Sequence, residues 1–220
     1  MISVIIPTHN DSDLLLKTVA SCFVQDVPVE VVVVDDCSDQ CLNYWMEAVI
    51  CNLCRYVRLD KNVGLAQARD CGIKASRYNY TLPLDTGDWL YPHVLGDMLS
   101  AIIDADVVFG NMDEIDGGVV YRPDGEHGVT KAGMMKCNQL WATSLFRKSV
   151  WEKVGGYENG LQTSYEDYAF WNKIIRAGGG FKYIDRLIYR HTHNPKSMLS
   201  KLHENTDYYK ELARKPLCDE

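Results

Sequence analysis

The chain has 220 residues, of which 46% are hydrophobic and 24% charged, and this composition is typical of a globular protein rather than a disordered one. Its formal net charge of −7 disfavours a nucleic-acid partner, which would need a basic face. The charge is uneven, because residues 182–215 hold 8 Lys and Arg against 4 Asp and Glu. We therefore expect an acidic body and a basic C-terminal segment, which would be the part to make peripheral membrane contact.

The start of the chain does not resemble a targeting signal. The first basic residue is Lys17, and the apolar run over residues 2–7 is only long enough for a strand. No apolar run approaches the ~18 residues of a membrane span. These features predict a soluble, cytoplasmic protein whose 8 cysteines are mostly buried thiols. A zinc site is a minor alternative that would use Cys37, Cys41, Cys51 and Cys54.

The first 110 residues alternate short apolar runs with amphipathic runs, which is typical of parallel βαβ units. Strands are predicted at residues 3–6, 29–34, 56–59, 80–84 and 107–109. Helices are predicted around residues 15–23, 42–50, 65–76 and 95–103, where apolar residues recur at helical spacing. We expect an α/β fold with a mostly parallel central sheet flanked by helices.

The second half of the chain does not continue the alternation of apolar and amphipathic runs, but no linker-like boundary separates it from the first half. It contains a glycine-rich stretch, an apolar segment at 139–146, a helix over 166–177 that three consecutive glycines end, and a strand at 187–190. Neither a flexible linker nor an internal repeat separates the halves. The sequence therefore predicts a single domain over residues 1–220.

Ligands of open parallel sheets bind beyond the carboxyl ends of the strands. Four loops follow predicted strands here and carry carboxylates or amides, at residues 7–11, 35–39, 60–64 and 85–88. The sequence therefore predicts a shared polar site at one sheet edge. The first loop begins Pro7-Thr8-His9-Asn10 and contains no glycine, which disfavours both a dinucleotide-binding domain and a nucleotidyltransferase phosphate loop.

Two of these loops carry candidate groups for a nucleotide. Asp35 and Asp36 follow four valines, and at the sheet edge they can accept hydrogen bonds from ribose hydroxyls or a base N–H. Helix capping is the alternative for this pair. Asn62 and Gly64 open a helix that brings Arg69 within reach of an anion, although an ordinary capped helix would show the same residues.

Two further groups are candidate metal ligands. Asp85 and Asp88 stand three residues apart in a tight turn and can converge on Mn²⁺ or Mg²⁺, with a simple Asx turn as the alternative. His191 and His193 follow a predicted strand and can ligate a metal or donate to a phosphate. The alternative for these two residues is a pair of surface histidines.

Glu166 and Asp167 open an amphipathic helix, so two carboxylates lie at the positive end of its dipole. This position is expected to lower their pKa and to favour the ionised form that a general base needs. Compensation of the helix dipole without any catalytic role is the alternative.

The order of these motifs resembles that of the family-two inverting glycosyltransferases of GT-A fold. The resemblance is carried by SVIIPTHN at 3–10, VVDDCSD at 33–39, NVG at 62–64, AR at 68–69, DTGD at 85–88 and ED at 166–167. It covers residues 1 to about 200 and implies a single GT-A (Rossmann-like) domain. Residues 1–110 would then be the nucleotide-sugar-binding half, and residues 111–220 the acceptor-side half.

The resemblance also implies a donor, a nucleotide-diphosphate sugar, with a UDP-hexose as our expectation. The residues implied in its binding are Pro7, Thr8, His9, Asn10, Asp35, Asn62, Gly64, Arg69 and Asp85. Within this set, the first four residues and Asp35 hold the nucleoside, and His9 stands where the family often has an aromatic ring that stacks on the base. Arg69 would face the diphosphate.

The family's D-x-D motif falls on Asp85, Thr86 and Gly87, so a glycine stands where a metal-ligating carboxylate is usual. Asp88 is the available substitute. The resemblance therefore implies that Mn²⁺ or Mg²⁺ is held by Asp85 and Asp88, with His191 or His193 approaching the metal diphosphate.

Glu166 and Asp167 match the family's acidic pair, so the resemblance implies that Asp167, beside Glu166, is the general base. It would take a proton from a hydroxyl of a saccharide or lipid-linked acceptor while that oxygen displaces the nucleoside diphosphate with inversion. Gly87 keeps open the alternative of a non-catalytic nucleotide-sugar-binding module. A glycoside hydrolase, which uses paired carboxylates and no nucleotide, is a further alternative.

Overall fold

The structure is a computed structural model that describes residues 1–39, 44–114, 120–158, 165–192 and 206–218. Nine strands lie within these ranges: β1 Ile2–Thr8, β2 Val29–Asp35, β3 Arg55–Arg58, β4 Tyr80–Pro83, β5 Trp89–Leu90, β6 Val107–Glu114, β7 Val120–Tyr121, β8 Leu145–Arg147 and β9 Phe181–His191. They form one sheet in the order β3-β2-β1-β4-β8-β6-β9-β5, and β7 pairs with β6.

Eight α-helices flank the sheet in the described part of the chain. They are α1 Ser12–Cys22, α2 Tyr44–Leu53, α3 Leu65–Ala75, α4 Val94–Ala101, α5 Lys131–Met134, α6 Lys148–Val154, α7 Glu166–Arg176 and α8 Thr206–Arg214. Short 3₁₀ turns follow at Ile102–Asp104 and Lys215–Leu217.

The first half of the sheet is parallel. β1 pairs in parallel with β2 and β4, and β2 pairs in parallel with β3. Thr8 lies in register with Asp35, so β1 and β2 end side by side. Helix α3 approaches this part of the sheet closely at Gly72, where a Cβ would stand 2.4 Å from Ile5 Cγ2. The close approach fixes the position of α3 above the strand ends.

The second half of the sheet is mixed. β6 pairs in parallel with β9 and antiparallel with β7 and β8, while β4 with β8 and β5 with β9 are antiparallel pairs. One continuous sheet therefore runs through both halves of the chain. The antiparallel pairing of β5 with β9 brings the loop that precedes β5 next to the end of β9, where two predicted site segments meet.

Two apolar layers cover the two faces of the sheet. Because side chains alternate along a strand, Val4 and Ile6 of β1 face the layer formed with α1, α2 and α4, while Ile5 faces the layer with α3, α6, α7 and α8. In the second layer Phe170 packs at 5.1 Å from Phe146 and stacks at 4.4 Å on Tyr157, between ring centroids. These rings anchor α7 and fix its first turn.

The predicted elements of the first half are present, and the strand at 80–84 ends at Pro83, as expected for a residue that cannot donate to a ladder. Sequence reasoning missed β5, which has two residues, and the helices α5, α6 and α8. Helix α8 packs on α7, where Asn172 donates to the carbonyl oxygen of Ala213 at 2.9 Å.

Part of the basic C-terminal segment is paired with acidic side chains. Arg186 lies 2.7 Å from Asp97, and Arg190 is held by Asp113. Lys196 and Lys201 lie outside the described residues, so contact of this segment with a membrane stays a prediction. Among the described residues, no helix combines the length and the apolar character that crossing a membrane requires.

Candidate active site

Asp35 ends β2 at the sheet edge and is 1% exposed. Its carboxylate accepts hydrogen bonds from the Tyr56 hydroxyl at 2.8 Å, from the backbone N–H of Ser38 at 2.9 Å, and from the Arg58 guanidinium. Burial alone would raise the pKa of Asp35, but these hydrogen bonds and the charge of Arg58 hold it below its usual range. Asp35 is therefore a fixed, ionised acceptor at the end of β2.

Asp36 joins the second and third edge loops. It is 4% exposed, and its two carboxylate oxygens accept the backbone N–H groups of Val63 at 2.7 Å and Gly64 at 2.8 Å. Gly64 has φ +86°, a conformation that favours glycine. Asn62 and Gly64 are thereby held next to the end of β2, beside Asp35.

His9 joins the same loops through both ring nitrogens. Its Nδ1 lies 2.9 Å from the carbonyl oxygen of Asp36, and because a carbonyl only accepts, Nδ1 carries the proton. Nε2 then accepts from the side-chain amides of Asn10 at 3.1 Å and Asn62 at 3.2 Å. These contacts fix the orientation of the imidazole ring, which stacking of a nucleotide base on it would require.

The first loop is also tied to the fourth. The Thr86 hydroxyl donates to the carbonyl oxygen of Pro7 at 2.8 Å. Thr8 is 6% exposed, and its hydroxyl has no partner within the described ranges. The four predicted loops therefore form one connected edge, which holds eight of the nine residues predicted to bind the donor, and the ninth, Arg69, lies on α3 behind Asp85.

Gly87 has a backbone reason to be glycine. Its φ is +105°, its N–H donates to the Thr18 hydroxyl at 2.9 Å, and its carbonyl oxygen accepts from the Thr192 hydroxyl at 2.6 Å. A Cβ here would stand 3.3 Å from Leu14 Cδ1. An aspartate at this position would therefore be both strained and crowded, which explains why the second carboxylate of the motif is absent.

Asp88 contacts His191, another of the predicted metal ligands. It is 4% exposed, and its Oδ1 lies 3.0 Å from Nδ1 of His191 and accepts the backbone N–H of Thr192 at 2.9 Å. Burial raises the pKa of Asp88, and the hydrogen bond to Asp88 raises the pKa of His191. Asp88 thus orients the imidazole from behind and leaves Nε2 as the nitrogen that can face a ligand.

Two of the four predicted metal ligands have exposed side chains at this edge. They are Asp85, whose side chain is 41% exposed, and His191, whose side chain is 40% exposed. His193 lies outside the described residues. Within the described ranges, no three His, Cys, Asp or Glu side chains are grouped to hold a metal. The pair nevertheless fits a nucleotide-bound Mn²⁺ or Mg²⁺, because substrate phosphates supply most ligands to such ions and a metal-binding histidine usually has a carboxylate behind it.

Arg69 connects this end of the site to the acidic pair. It is 1% exposed and donates to Asp85 at 2.7 Å and to Glu166 at 2.6 Å. Burial alone would lower the pKa of Arg69, but the two carboxylates raise it well above its usual value. The predicted contact with a diphosphate would therefore pass through Asp85, since the guanidinium lies behind that carboxylate rather than in the open.

The acidic pair opens α7, and its two carboxylates have different surroundings. Glu166 is 6% exposed and bound to Arg69, whereas Asp167 is half-buried and accepts from the side-chain amide of Asn138 at 2.9 Å. Burial, and then the negative charge of Glu166, raise the pKa of Asp167 to about 7. The prediction that the helix end lowers this pKa is wrong, because these two effects outweigh the dipole, Arg69 and Asn138.

Sequence reasoning missed several residues that hold the site together. Asn138 lies in the loop between α5 and β8, where the pattern gave no signal of a functional group. Asp36 was noted beside Asp35, but its role in holding the loop at Gly64 depends on a contact between residues 28 positions apart.

The zinc alternative finds no support in the described residues. Cys41 lies outside them, and Cys37, Cys51 and Cys54 are free thiols. Burial raises the pKa of Cys54 to about 12, which disfavours the thiolate that zinc binds. The thiols are free as expected, but Cys22 alone is buried among the seven described cysteines, so the prediction that the cysteines are mostly buried is wrong.

Comparison with known proteins matches the chain to the family described as Glycosyl transferase family 2, over residues 3–188. The chain is 31% identical over 166 residues to the poly(ribitol-phosphate) beta-N-acetylglucosaminyltransferase TarP of Staphylococcus aureus, a match covering 69% of this chain and 50% of TarP. It is 31% identical over 117 residues to the succinoglycan biosynthesis protein ExoO of Rhizobium meliloti, covering 52% of this chain and 34% of ExoO. The chain thus spans half or less of the length of these relatives.

The fold matches the crystal structure of S. aureus TarS 1-349 in complex with UDP-GlcNAc. The TM-score is 0.80 at 22% identity, over 96% of this chain and 64% of that one. This match confirms the predicted GT-A fold.

Proposed function

Because the chain belongs to glycosyl transferase family 2, we propose that it is a cytoplasmic, inverting, metal-assisted enzyme. It transfers a hexose from a UDP-sugar to a hydroxyl of a saccharide or lipid-linked acceptor. One observation carries the proposal: Arg69 binds Asp85 at the nucleotide edge and Glu166 of the acidic pair at the same time. Asp167, whose pKa is about 7, follows Glu166 directly and so lies beside the place where the donor's diphosphate would bind.

The assignment of the base depends on the different surroundings of the two carboxylates. Glu166 is ionically paired with Arg69 and nearly inaccessible, so it cannot take a proton from an acceptor without breaking that pair. Asp167 forms no ion pair with any of the described residues and has a pKa of about 7. A base with a pKa near the working pH is both available in its ionised form and strong enough to accept a hydroxyl proton.

Inversion follows from a single displacement. Asp167 accepts the proton of the acceptor hydroxyl, the acceptor oxygen bonds to the anomeric carbon, and the electron pair of the broken bond leaves with the nucleoside diphosphate. The attacking oxygen enters opposite the leaving group, so the configuration at the anomeric carbon inverts.

The donor assignment rests on the connected edge loops and on the relatives. Asp35 offers a fixed acceptor and His9 a flat ring at the nucleoside end. TarS has been crystallised with UDP-GlcNAc, and TarP is named as an N-acetylglucosaminyltransferase. UDP-GlcNAc is therefore the first donor to test, followed by other UDP-hexoses.

Asp85 and His191 would hold Mn²⁺ or Mg²⁺, with Asp88 fixing the orientation of the imidazole. When bound, the cation compensates the negative charge that grows on the departing diphosphate. Arg69 donates to Asp85 Oδ1 at 2.7 Å and so holds this ligand in position.

A non-catalytic nucleotide-sugar-binding module remains a second candidate, and Gly87 is the observation that favours it. Calorimetry with UDP and UDP-GlcNAc, with Mn²⁺ and with chelator, measures binding, and release of UDP in the presence of acceptor sugars measures transfer. UDP release with an inverted product supports the enzyme. Binding without UDP release or transfer supports the module, and absence of nucleotide binding overturns both.

A further inference from the structure

Asn138 contacts the candidate base directly. It lies in the loop between α5 and β8, is half-buried, and donates from Nδ2 to Oδ2 of Asp167 at 2.9 Å. Its own Oδ1 is buried and has no hydrogen-bond partner among the described residues. The side-chain amide of Asn138 is therefore held by the hydrogen bond of Nδ2 to Asp167, whereas no hydrogen bond from the described residues holds Oδ1.

We infer that Asn138 is a positioning residue that holds Asp167 in both protonation states of the transfer reaction. This inference rests on the proposed function, since it assigns a partner to the base of that reaction. An ionised carboxylate only accepts, so Asn138 must present its NH₂ to it. Once the carboxylate has taken a proton, it has an O–H to donate, and rotation of the amide by half a turn presents Oδ1 as the acceptor.

The other groups around Asp167 do not offer this pairing. Glu166 is a like charge beside it, and Arg69 is bound to Glu166 and Asp85. The Tyr189 hydroxyl donates to Met112 Sδ at 3.3 Å, and the Tyr157 hydroxyl has no hydrogen-bond partner among the described residues. The backbone N–H of Tyr168 stabilises the ionised form, but it is a donor only and cannot accept from the protonated acid.

The buried, unpartnered Oδ1 is the second observation. A buried acceptor without a donor is unfavourable, and native proteins retain few such atoms. Rotation of the amide exchanges the positions of Oδ1 and Nδ2, so each protonation state of Asp167 pairs with one of the two amide atoms and leaves the other without a partner among the described residues. The proton of the acceptor hydroxyl moves to a carboxylate oxygen of Asp167, and no other group gains or loses a proton in the step.

The test compares Asn138→Ala with the unaltered chain in rate profiles between about pH 5 and 9 with UDP-GlcNAc and Mn²⁺. The variant loses a charge-assisted hydrogen bond to the ionised carboxylate of Asp167. The acidic limb of the kcat profile, which is the fall of kcat at low pH, is therefore expected to shift to higher pH by about one unit. We expect kcat at pH 7 to fall about tenfold while KM for the donor changes by less than about twofold. Titration of the Asp167 carboxyl by ¹³C NMR, assigned with Asp167→Asn, gives the same shift without any turnover.

Asn172→Ala is the matched control. Asn172 is fully buried and, like Asn138, has an Oδ1 without a partner among the described residues, and its Nδ2 donates to the carbonyl oxygen of Ala213 instead of to the base. This control is expected to lower Tm and to leave the acidic limb in place. Asn138→Gln, which keeps both a donor and an acceptor, is expected to keep the acidic limb close to that of the unaltered chain.

Asn138→Asp keeps the shape of the side chain and provides a second test if Asn138→Ala does not fold. A second carboxylate facing Asp167 is expected to move the Asp167 titration upward, as removal of the amide does. An Asp167 titration and an acidic limb that are unchanged in both variants would overturn the inference. If the titration moves but the unaltered chain transfers no sugar, the contact with Asn138 is supported and the proposed function fails.

Discussion

Arg69 donates to Glu166 at 2.6 Å although 97 positions separate the two residues in the chain. The contact links the first turn of α7 to α3, and α3 begins at the loop that Asp36 holds against the end of β2. The acidic pair and the edge formed by the four loops are therefore linked through α3.

Asp167→Asn is expected to stabilise the folded protein above neutral pH. The folded-state pKa of Asp167 is raised from 3.8 to about 7, so between these values the folded state binds more protons than the unfolded state. Stability from this group is then greatest at low pH and is lost as the pH rises through about 7. The Tm difference between the variant and the unaltered chain should therefore grow from pH 4 to pH 8.

Glu166→Gln provides the contrast, because it removes one of the two charges that Arg69 binds and should lower Tm at pH 8. A lower Tm for Asp167→Asn at pH 8 would contradict the raised pKa.

His191→Ala and Asp88→Asn are both expected to weaken Mn²⁺-dependent binding of UDP. The first removes the ligand, and the second replaces the carboxylate that orients it with a neutral amide, a change that typically costs about 10- to 100-fold in metal affinity. Calorimetry with Mn²⁺ and with chelator measures the effect. The control is His127→Ala, because the His127 side chain is 91% exposed and pairs with Glu126. Equal Mn²⁺ dependence in all three variants would show that these residues do not hold the cation.

Gly87→Asp is expected to restore the carboxylate of the D-x-D motif in sequence but to reduce stability. A side chain at φ +105° is strained, and its Cβ would crowd Leu14. We expect Tm to fall by about 2–6 °C. Gly128→Ala has a similar φ of +121° in open space, so a smaller loss there measures strain without crowding. A stable Gly87→Asp variant with higher transfer activity would show that the loop accepts a side chain at this position.

Asp35→Ala is expected to weaken UDP binding by on the order of 1–3 kcal/mol, because a ligand donor would lose its acceptor. Tyr56→Phe removes one hydrogen bond to Asp35 but leaves the carboxylate, so its effect on UDP affinity should be smaller. Isothermal calorimetry measures both variants after their folding has been checked by circular dichroism. Unchanged affinity in a folded Asp35→Ala variant would assign Asp35 a purely structural role.

Residues at the ends of strands and helices could be predicted from the sequence. Asp35 and Asp85 each follow an apolar run, and Glu166 and Asp167 open an amphipathic helix, so their positions follow from local patterns. The partners of these residues could not be predicted in the same way. Asn138 lies in an irregular loop, and the pKa of Asp167 depends on burial by tertiary packing, which the helix pattern does not reveal.

Gly87 illustrates the same difference. The sequence showed that a motif carboxylate was absent and suggested Asp88 in its place. The structure gives the backbone reason for the glycine, and it shows Asp88 bound to His191, a contact between residues 103 positions apart. Contacts over such distances are set by the sheet order, which the sequence pattern alone left undetermined.

The transfer rate of Asp167→Asn at saturating UDP-sugar and pH 8 tests the central claim most directly. An amide cannot take the acceptor's proton, so transfer should fall by about 10² or more while UDP affinity stays nearly unchanged, since base catalysis typically contributes 10²- to 10⁴-fold. Near-normal transfer by Asp167→Asn in a folded protein that binds UDP would contradict the assignment of Asp167 as the general base.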